Sequence, residues 1–154
     1  MKNTTTVIYL VISGLLLLVI GAAILLAPHA FHGSNGITLG DNPNLLSEIR
    51  APGGLLAASG IIILIGGFRP LLRSQAVRLT TLVYGSFGVA RLISMALDGM
   101  PSNSIVGATV LELIVASIGL ALLLQTRARE IDSKKPQGFF DPSGIAATPL
   151  GPKR

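Results

Sequence analysis

The chain contains no cysteine among its 154 residues. Disulfide bridges, zinc–thiolate sites, iron–sulfur clusters and cysteine nucleophiles are therefore excluded. Tryptophan is also absent and aromatic residues make up only 5% of the chain, so any aromatic belt at a membrane interface is thin. Charged residues account for only 12%, whereas a soluble domain has about 25%. The composition is therefore unlike that of a soluble domain.

Apolar residues make up half of the chain, which has a mean hydropathy of +0.69. They fall in long blocks, which is typical of membrane proteins. The net charge is +5, but the positive residues flank the apolar blocks. This placement indicates orientation in a lipid bilayer and gives no reason to predict a nucleic-acid partner.

Four apolar blocks predict four transmembrane helices, because a helix of about 20 residues crosses a hydrocarbon core of about 30 Å. The predicted helices cover residues 7–27, 43–67, 79–97 and 104–124. The first block is longer than the apolar core of a cleaved signal peptide, so it is predicted to be retained. The fold prediction is therefore all-α: a four-helix transmembrane bundle over residues 1–126. A basic, Pro/Gly-rich tail over 127–154 is predicted to be largely disordered, above all from about Pro136.

Proline and glycine mark the predicted ends of the helices. Residues 28–42 are predicted to form a loop. Asn42 followed by Pro43 is typical of an N-cap and a first helical position. Pro52 lies inside the second helix and removes one backbone hydrogen bond, so a kink is expected there.

The distribution of cations predicts how the helices cross the membrane. Lys and Arg lie near the N-terminus, in the middle loop and in the tail: Lys2, Arg69, Arg73, Arg78, Arg127, Arg129, Lys134 and Lys135. The other two loops contain neither Lys nor Arg. The positive-inside rule therefore predicts a multi-pass protein of the inner membrane, with both termini in the cytoplasm.

Five charged residues lie within or beside the predicted spans toward the outer side: Glu48, Arg50, Arg91, Asp98 and Glu112. From the helical rise, Arg91 lies about 10 Å and Glu112 about 12 Å below the outer ends of their helices. Because an isolated charge at that depth costs about 2.5–3.5 kcal/mol, we expect these two to contact one another. The five together predict a nearly balanced charge cluster in the outer half of the bundle.

Helical spacing places further residues on shared faces. The third helix has a polar stripe made of Thr81, Tyr84, Gly88, Arg91 and Asp98. On the second helix, small residues beside Arg50 predict a helix-packing face: Gly53, Gly54, Ala57, Gly60 and Gly67. Arg50 would then point into the bundle, whereas Glu48 lies about 200° away, toward another neighbour or the outer rim.

The charge cluster has two interpretations. Paired charges could fix helix register and rotation, or they could line a polar cavity for an ion, a proton or a small ligand. His29 and His32, with Asp41 nearby, have a spacing that permits metal ligation, but no third ligand is evident. No metal, cofactor or catalytic residue is therefore predicted.

Three stretches carry a family resemblance: SEIRAPGGLLAASG, GVARLISMALDGMPS and LELIVASIGLALL. They resemble a bacterial family of small four-helix membrane proteins, the domain of unknown function 4345, which is distantly similar to DoxX-type proteins. The family pattern falls on Glu48, Arg50, Gly53, Gly54, Arg91, Asp98, Gly99, Pro101 and Glu112. The resemblance implies a four-helix membrane fold and the charge cluster, and it implies no reaction.

Three functional hypotheses remain open. The first is a non-enzymatic accessory or structural subunit, associated with another membrane protein or with further copies of itself. The second is a small carrier or channel for protons or a solute, using Arg50, Arg91 and Glu112. The third is a subunit of a lipid- or quinone-linked membrane enzyme, which would need a lipid-facing slot that ends at the charge cluster.

Overall fold

The computed structural model describes residues 4–134, and every regular element in that range is helical. The elements are α1 (Thr4–Leu26), α2 (Pro28–Gly33), α3 (Pro43–Phe68), a 3-10 turn (Pro70–Leu72), α4 (Arg73–Asp98) and α5 (Asn103–Lys134). Four stretches are long and apolar enough to cross a membrane: Thr4–Leu26, Pro43–Phe68, Pro70–Asp98 and Asn103–Ala128. This confirms the all-α class with four helices of transmembrane length. The side of the membrane on which the termini lie stays a prediction.

A short helix, α2, lies where the sequence predicts a continuous loop. Helix α1 ends at Leu26, and Ala27 leaves the helical conformation with φ −133° and ψ 57°. Pro28 then occupies the start of α2, where its ring fixes φ and its missing N–H costs no helical hydrogen bond. The loop prediction is wrong for these six residues, because a proline can begin a helix as well as end one.

Helix α3 begins as predicted at its N-cap. The Asn42 side-chain oxygen accepts a hydrogen bond of 2.9 Å from the backbone N–H of Asn44, and Pro43 follows the cap directly. The helix continues through Pro52, which has no N–H to donate to the carbonyl of Glu48. The kink expected at this position stays a prediction.

Helix α5 extends beyond its predicted end at residue 124, as far as Lys134. The residues from 125 to 134 are mostly polar, but they include neither proline nor glycine. The helix therefore continues past the apolar block, since helix propensity does not require apolar side chains. The tail beyond residue 134, with its predicted disorder, lies outside the described residues, and the predicted domain boundary at 126 stays a prediction.

Helices α1 and α3 form the most extensive packing contact in the structure. Glycines bring the two backbones together, as small residues do in membrane helices. These glycines are Gly14 and Gly21 on α1 and Gly53 and Gly60 on α3. A Cβ atom added at Gly60 would lie 2.6 Å from the backbone nitrogen of Leu18, so only glycine fits there.

Gly54 departs from the predicted packing face. No atom lies within 4 Å of a Cβ added at Gly54, whereas one added at Gly53 would lie 2.9 Å from the backbone nitrogen of Leu25. Consecutive helical residues are 100° apart, so Gly54 is turned away from α1. Ala57 does belong to the face, because its backbone lies against Gly21.

Helices α4 and α5 form a second pair, in which Gly88 lies against Leu113. The two pairs meet mainly through α3 and α4, where Gly66 packs against Ala76. The buried apolar residues between the pairs form one cluster: Leu10, Leu17, Leu56, Ile63, Ala76, Val77 and Tyr84. The bundle is therefore built from two helix pairs, α1–α3 and α4–α5.

The glycine contact gives a direct test of this packing. Gly60→Ala places a Cβ against the Leu18 backbone, and overpacking of this kind costs about 1–3 kcal/mol. We expect this variant to unfold at a lower temperature in detergent, as measured by circular dichroism. Gly54→Ala is the matched control, since its Cβ meets open space and should leave the melting temperature unchanged or raise it. Equal losses in the two variants would contradict the proposed contact.

Candidate functional site

Two tyrosines join the helix pairs near the middle of the bundle. The Tyr84 hydroxyl on α4 donates a 2.7 Å hydrogen bond to the Ser13 carbonyl on α1. The Tyr9 hydroxyl on α1 donates a 2.9 Å bond to the Val115 carbonyl on α5. Tyr84 is only 3% exposed, so its bond satisfies a hydroxyl that has no access to water. These bonds hold the pairs together at mid-height.

The distal half of the bundle, which carries the connections 27–42 and 99–102, contains a cavity of about 590 Å³. Side chains from all five helices contribute to its lining. Most are aliphatic or aromatic, and the deeper wall includes Leu16, Ile20, Leu56, Val83 and Phe87. Tyr84 also lines this cavity, so the mid-bundle bonds lie at its inner end.

Polar side chains in the lining are fewer. They are Glu48, Arg91, Glu112, His32, Ser34, Asn35 and Ser104. Residues 32–35 belong to α2 and the connection after it, and Ser104 is the second residue of α5. Except for the Arg91–Glu112 pair in the wall, these polar residues therefore lie toward the distal end.

Arg91 and Glu112 form the ion pair that the sequence predicts. The Arg91 Nε donates a 3.2 Å hydrogen bond to Glu112 Oε1 and lies 3.1 Å from Oε2. The Glu112 side chain is 13% exposed and that of Arg91 is 35% exposed. Glu112 Oε2 is buried and has no hydrogen bond within the described chain. The pair joins α4 to α5 and presents both charges in the cavity wall.

Arg50 does not pair with a carboxylate among the described residues. Its Nη1 donates a hydrogen bond to the carbonyl of Leu25, in the last turn of α1. That carbonyl lies at a helix C-terminus, where a cation stabilises both the unpaired carbonyl and the negative end of the helix dipole. Arg50 thus points toward α1, as its small-residue face predicts, but it acts as a helix cap.

The other two carboxylates are separate from the pair. Glu48 is exposed and lines the cavity, whereas Asp98 accepts a 3.0 Å hydrogen bond from Ser94 at the exposed end of α4. Within residues 4–134, the predicted cluster of five charges therefore resolves into one ion pair, one helix cap and two carboxylates without a cation. Glu48, Arg91 and Glu112 line the same cavity, whereas Arg50 and Asp98 are absent from its lining.

The two histidines have different surroundings. His29 lies 3.5 Å from Asp41, and both side chains are exposed. His32 lines the cavity, packs edge-to-face against Phe31 at 5.4 Å, and has a buried Nε2 atom without a hydrogen-bond partner in the described chain. In that same range no group of three His, Asp or Glu side chains is arranged to hold a metal ion.

A hydrogen bond ties the first distal connection to α5. The Ser104 hydroxyl donates to Asn35 Oδ1 at 2.9 Å, and the Asn35 amide donates to the Phe31 carbonyl at 3.2 Å. Both Ser104 and Asn35 line the cavity. The connection therefore covers part of the distal end of the cavity.

The sequence reveals only some of the cavity residues. Tyr84 and Arg91 share the polar stripe of α4, and that spacing was a usable signal. His32 carried a weaker signal, since a histidine just outside an apolar block is as readily an interfacial residue. The aliphatic residues of α1 in the cavity wall gave no sequence signal, because the same residue types also face lipid.

The profile of a domain of unknown function, DUF4345, matches residues 5–124. The chain belongs to the DUF4345 family. All the cavity-lining residues fall inside this DUF4345 match. No curated protein and no solved structure matches the chain. The family resemblance is thus confirmed as DUF4345, while a bacterial source and a likeness to DoxX-type proteins stay predictions.

The ion pair of this DUF4345 protein can be tested by a double-mutant cycle. Arg91→Ala leaves the Glu112 carboxylate buried without its cation, which should cost about 1–3 kcal/mol of stability. Arg91→Ala combined with Glu112→Ala should lose less, because neither charge is then left alone. Thermal unfolding in detergent measures both, with Asp98→Ala as the control outside the pair. Equal losses in the single and double variants would reject direct pairing.

Proposed function

We propose that this chain is an accessory protein of the inner membrane that holds a small amphiphilic molecule in its distal cavity. The cavity supports this proposal, because apolar side chains form most of its wall and one ion pair adds a polar patch. Small-molecule sites are mostly apolar volumes of about 300–1,000 Å³ with a few polar groups that orient the ligand. A volume of about 590 Å³ falls within that range.

The chemistry of the cavity wall favours a ligand with a hydrocarbon body. A cavity lined by aliphatic side chains does not hold water favourably, because water finds too few hydrogen-bond partners there. Four helices are long and apolar enough to span a membrane, which supports a cavity surrounded by lipid chains. A membrane molecule with a hydrocarbon chain is therefore the ligand closest at hand, and Arg91 with Glu112 provides a site for its polar head.

As an accessory protein, the chain is proposed to have a protein partner. In this role the protein binds its ligand without transforming it and acts beside another membrane protein or a second copy of the chain. The close glycine packing of α1 on α3 supports a rigid scaffold. A partner should co-purify after extraction in mild detergent.

Both termini are proposed to lie in the cytoplasm. Arg69, Arg73 and Arg78 surround the connection between α3 and α4, while the connections 27–42 and 99–102 carry neither Lys nor Arg. This asymmetry supports the orientation through the positive-inside rule.

The orientation is measurable because the natural chain has no cysteine. In intact cells, a membrane-impermeant maleimide should label Thr38→Cys and should leave Gln75→Cys unlabelled. Both positions are exposed, so disruption of the membrane should make both react equally. Labelling of Gln75→Cys alone in intact cells would reverse the assignment.

Occupation of the cavity can be followed by fluorescence, because the chain has no tryptophan of its own. Phe87→Trp places a reporter in the cavity wall, and Leu82→Trp places one on the same helix at a position that is 69% exposed. In lipid vesicles, a brominated octadecyl amphiphile should quench the Trp at position 87 saturably. At position 82 the quenching should rise in proportion to the probe.

A variant that fills the cavity provides the control. Ala108 lines the cavity, whereas Val110 is 52% exposed and is absent from the lining. Ala108→Phe should therefore abolish saturable quenching at position 87, and Val110→Phe should preserve it. Proportional quenching at both reporters, unaffected by Ala108→Phe, would reject the binding cavity.

A further inference from the structure

The charges around the cavity are unevenly divided. Its lining carries one cation, Arg91, and two carboxylates, Glu112 and Glu48. The cation is already engaged by the more buried of the two carboxylates. An anionic head would therefore meet a neutralised guanidinium and the second carboxylate, and it would leave water without gaining a free cation.

Hydrogen-bond donors remain despite this neutralisation. Arg91 uses its Nε for Glu112, and within residues 4–134 the structure records no bond from either Nη. His32 adds a buried ring nitrogen that has no partner in the same range. A guanidinium has five N–H donors and accepts no hydrogen bond, so it suits neutral oxygen acceptors.

The lining also has a direction. Its inner end is formed by Tyr84 and by aliphatic side chains such as Leu17 and Leu56, all buried. Glu48 and His32 lie toward the distal end, and Arg91 stands between these two regions. An amphiphile would therefore place its hydrocarbon body toward the middle of the bundle and its head toward the distal surface.

We propose that the cavity selects an uncharged amphiphile, with an aliphatic body and a head of hydroxyl or carbonyl oxygens that accept hydrogen bonds at Arg91. This inference rests on the proposed function, since it names the class of molecule that occupies the same cavity. The ion pair makes the selection: Glu112 cancels the charge of Arg91 and leaves its remaining N–H groups free to donate.

Three matched probes test the selection in the Phe87→Trp protein. Brominated octadecanol, octadecanoic acid and octadecylamine share one chain and differ in the head. At pH 7 in vesicles, the alcohol should reach half-saturation at a concentration about tenfold lower than the acid or the amine. The acid finds no unpaired cation in the lining, and the carboxylate open to the amine, Glu48, is exposed, where an ion pair gains little over water.

Removing the counter-charge should change the preference. Glu112→Gln leaves the Arg91 cation without its carboxylate, so the acid should gain at least about tenfold in affinity relative to the alcohol. Asp98→Asn removes the same charge outside the cavity and should leave the ratio unchanged. If Glu112→Gln fails to fold, Glu48→Gln removes the second carboxylate of the lining and should shift the ratio in the same direction.

The outcomes separate this inference from the function on which it rests. Saturable binding of the acid or the amine at least as tight as that of the alcohol would overturn the selection and keep the binding cavity. An acid-to-alcohol ratio that Glu112→Gln and Asp98→Asn change equally would also overturn it. Absence of saturable quenching by all three probes would reject the cavity itself.

Discussion

Apolar surroundings offer no hydrogen bonds, and the rest of this structure depends on that constraint. Polar groups inside the apolar helices must find partners within the chain, and several of them do so across helices. Arg91 binds Glu112, Arg50 binds the Leu25 carbonyl, and the Tyr84 hydroxyl binds the Ser13 carbonyl. Each bond fixes which helices are neighbours, because the unbonded alternative would leave a polar group without a partner in apolar surroundings.

Two kinds of packing divide the bundle. Glycines on α1 and α3 bring backbones into contact, so that interface has no space for a ligand. Between the two helix pairs, Gly66 packs against Ala76, and the rest of the contact is made by larger buried side chains and by the two tyrosine bonds near mid-height. The distal cavity lies beyond those bonds, where side chains of both helix pairs leave the space between them unfilled. The bundle therefore combines a tightly packed α1–α3 pair with a cavity between the two pairs at the distal end.

The ion pair unites the two interpretations of the intramembrane charges. It joins α4 to α5, as a structural pair does, and it also stands in the wall of the cavity. Because the pair is close to neutral, it adds polarity to an apolar volume without adding net charge. This is the property on which the proposed binding of an amphiphile depends. Glu48 and Asp98, at exposed positions, take no part in the pair.

The sequence by itself determined the four helices of transmembrane length, the cap at Asn42 and the Arg91–Glu112 contact, because helix length, capping chemistry and distance along a helix are local or one-dimensional quantities. Tertiary structure alone decided that Arg50 caps α1, that Gly54 is turned away from the packing face, and that a cavity exists. These features depend on the rotation of each helix and on the distance between helices. The sequence does not fix either, because the same aliphatic residues can face lipid, a neighbouring helix or a cavity.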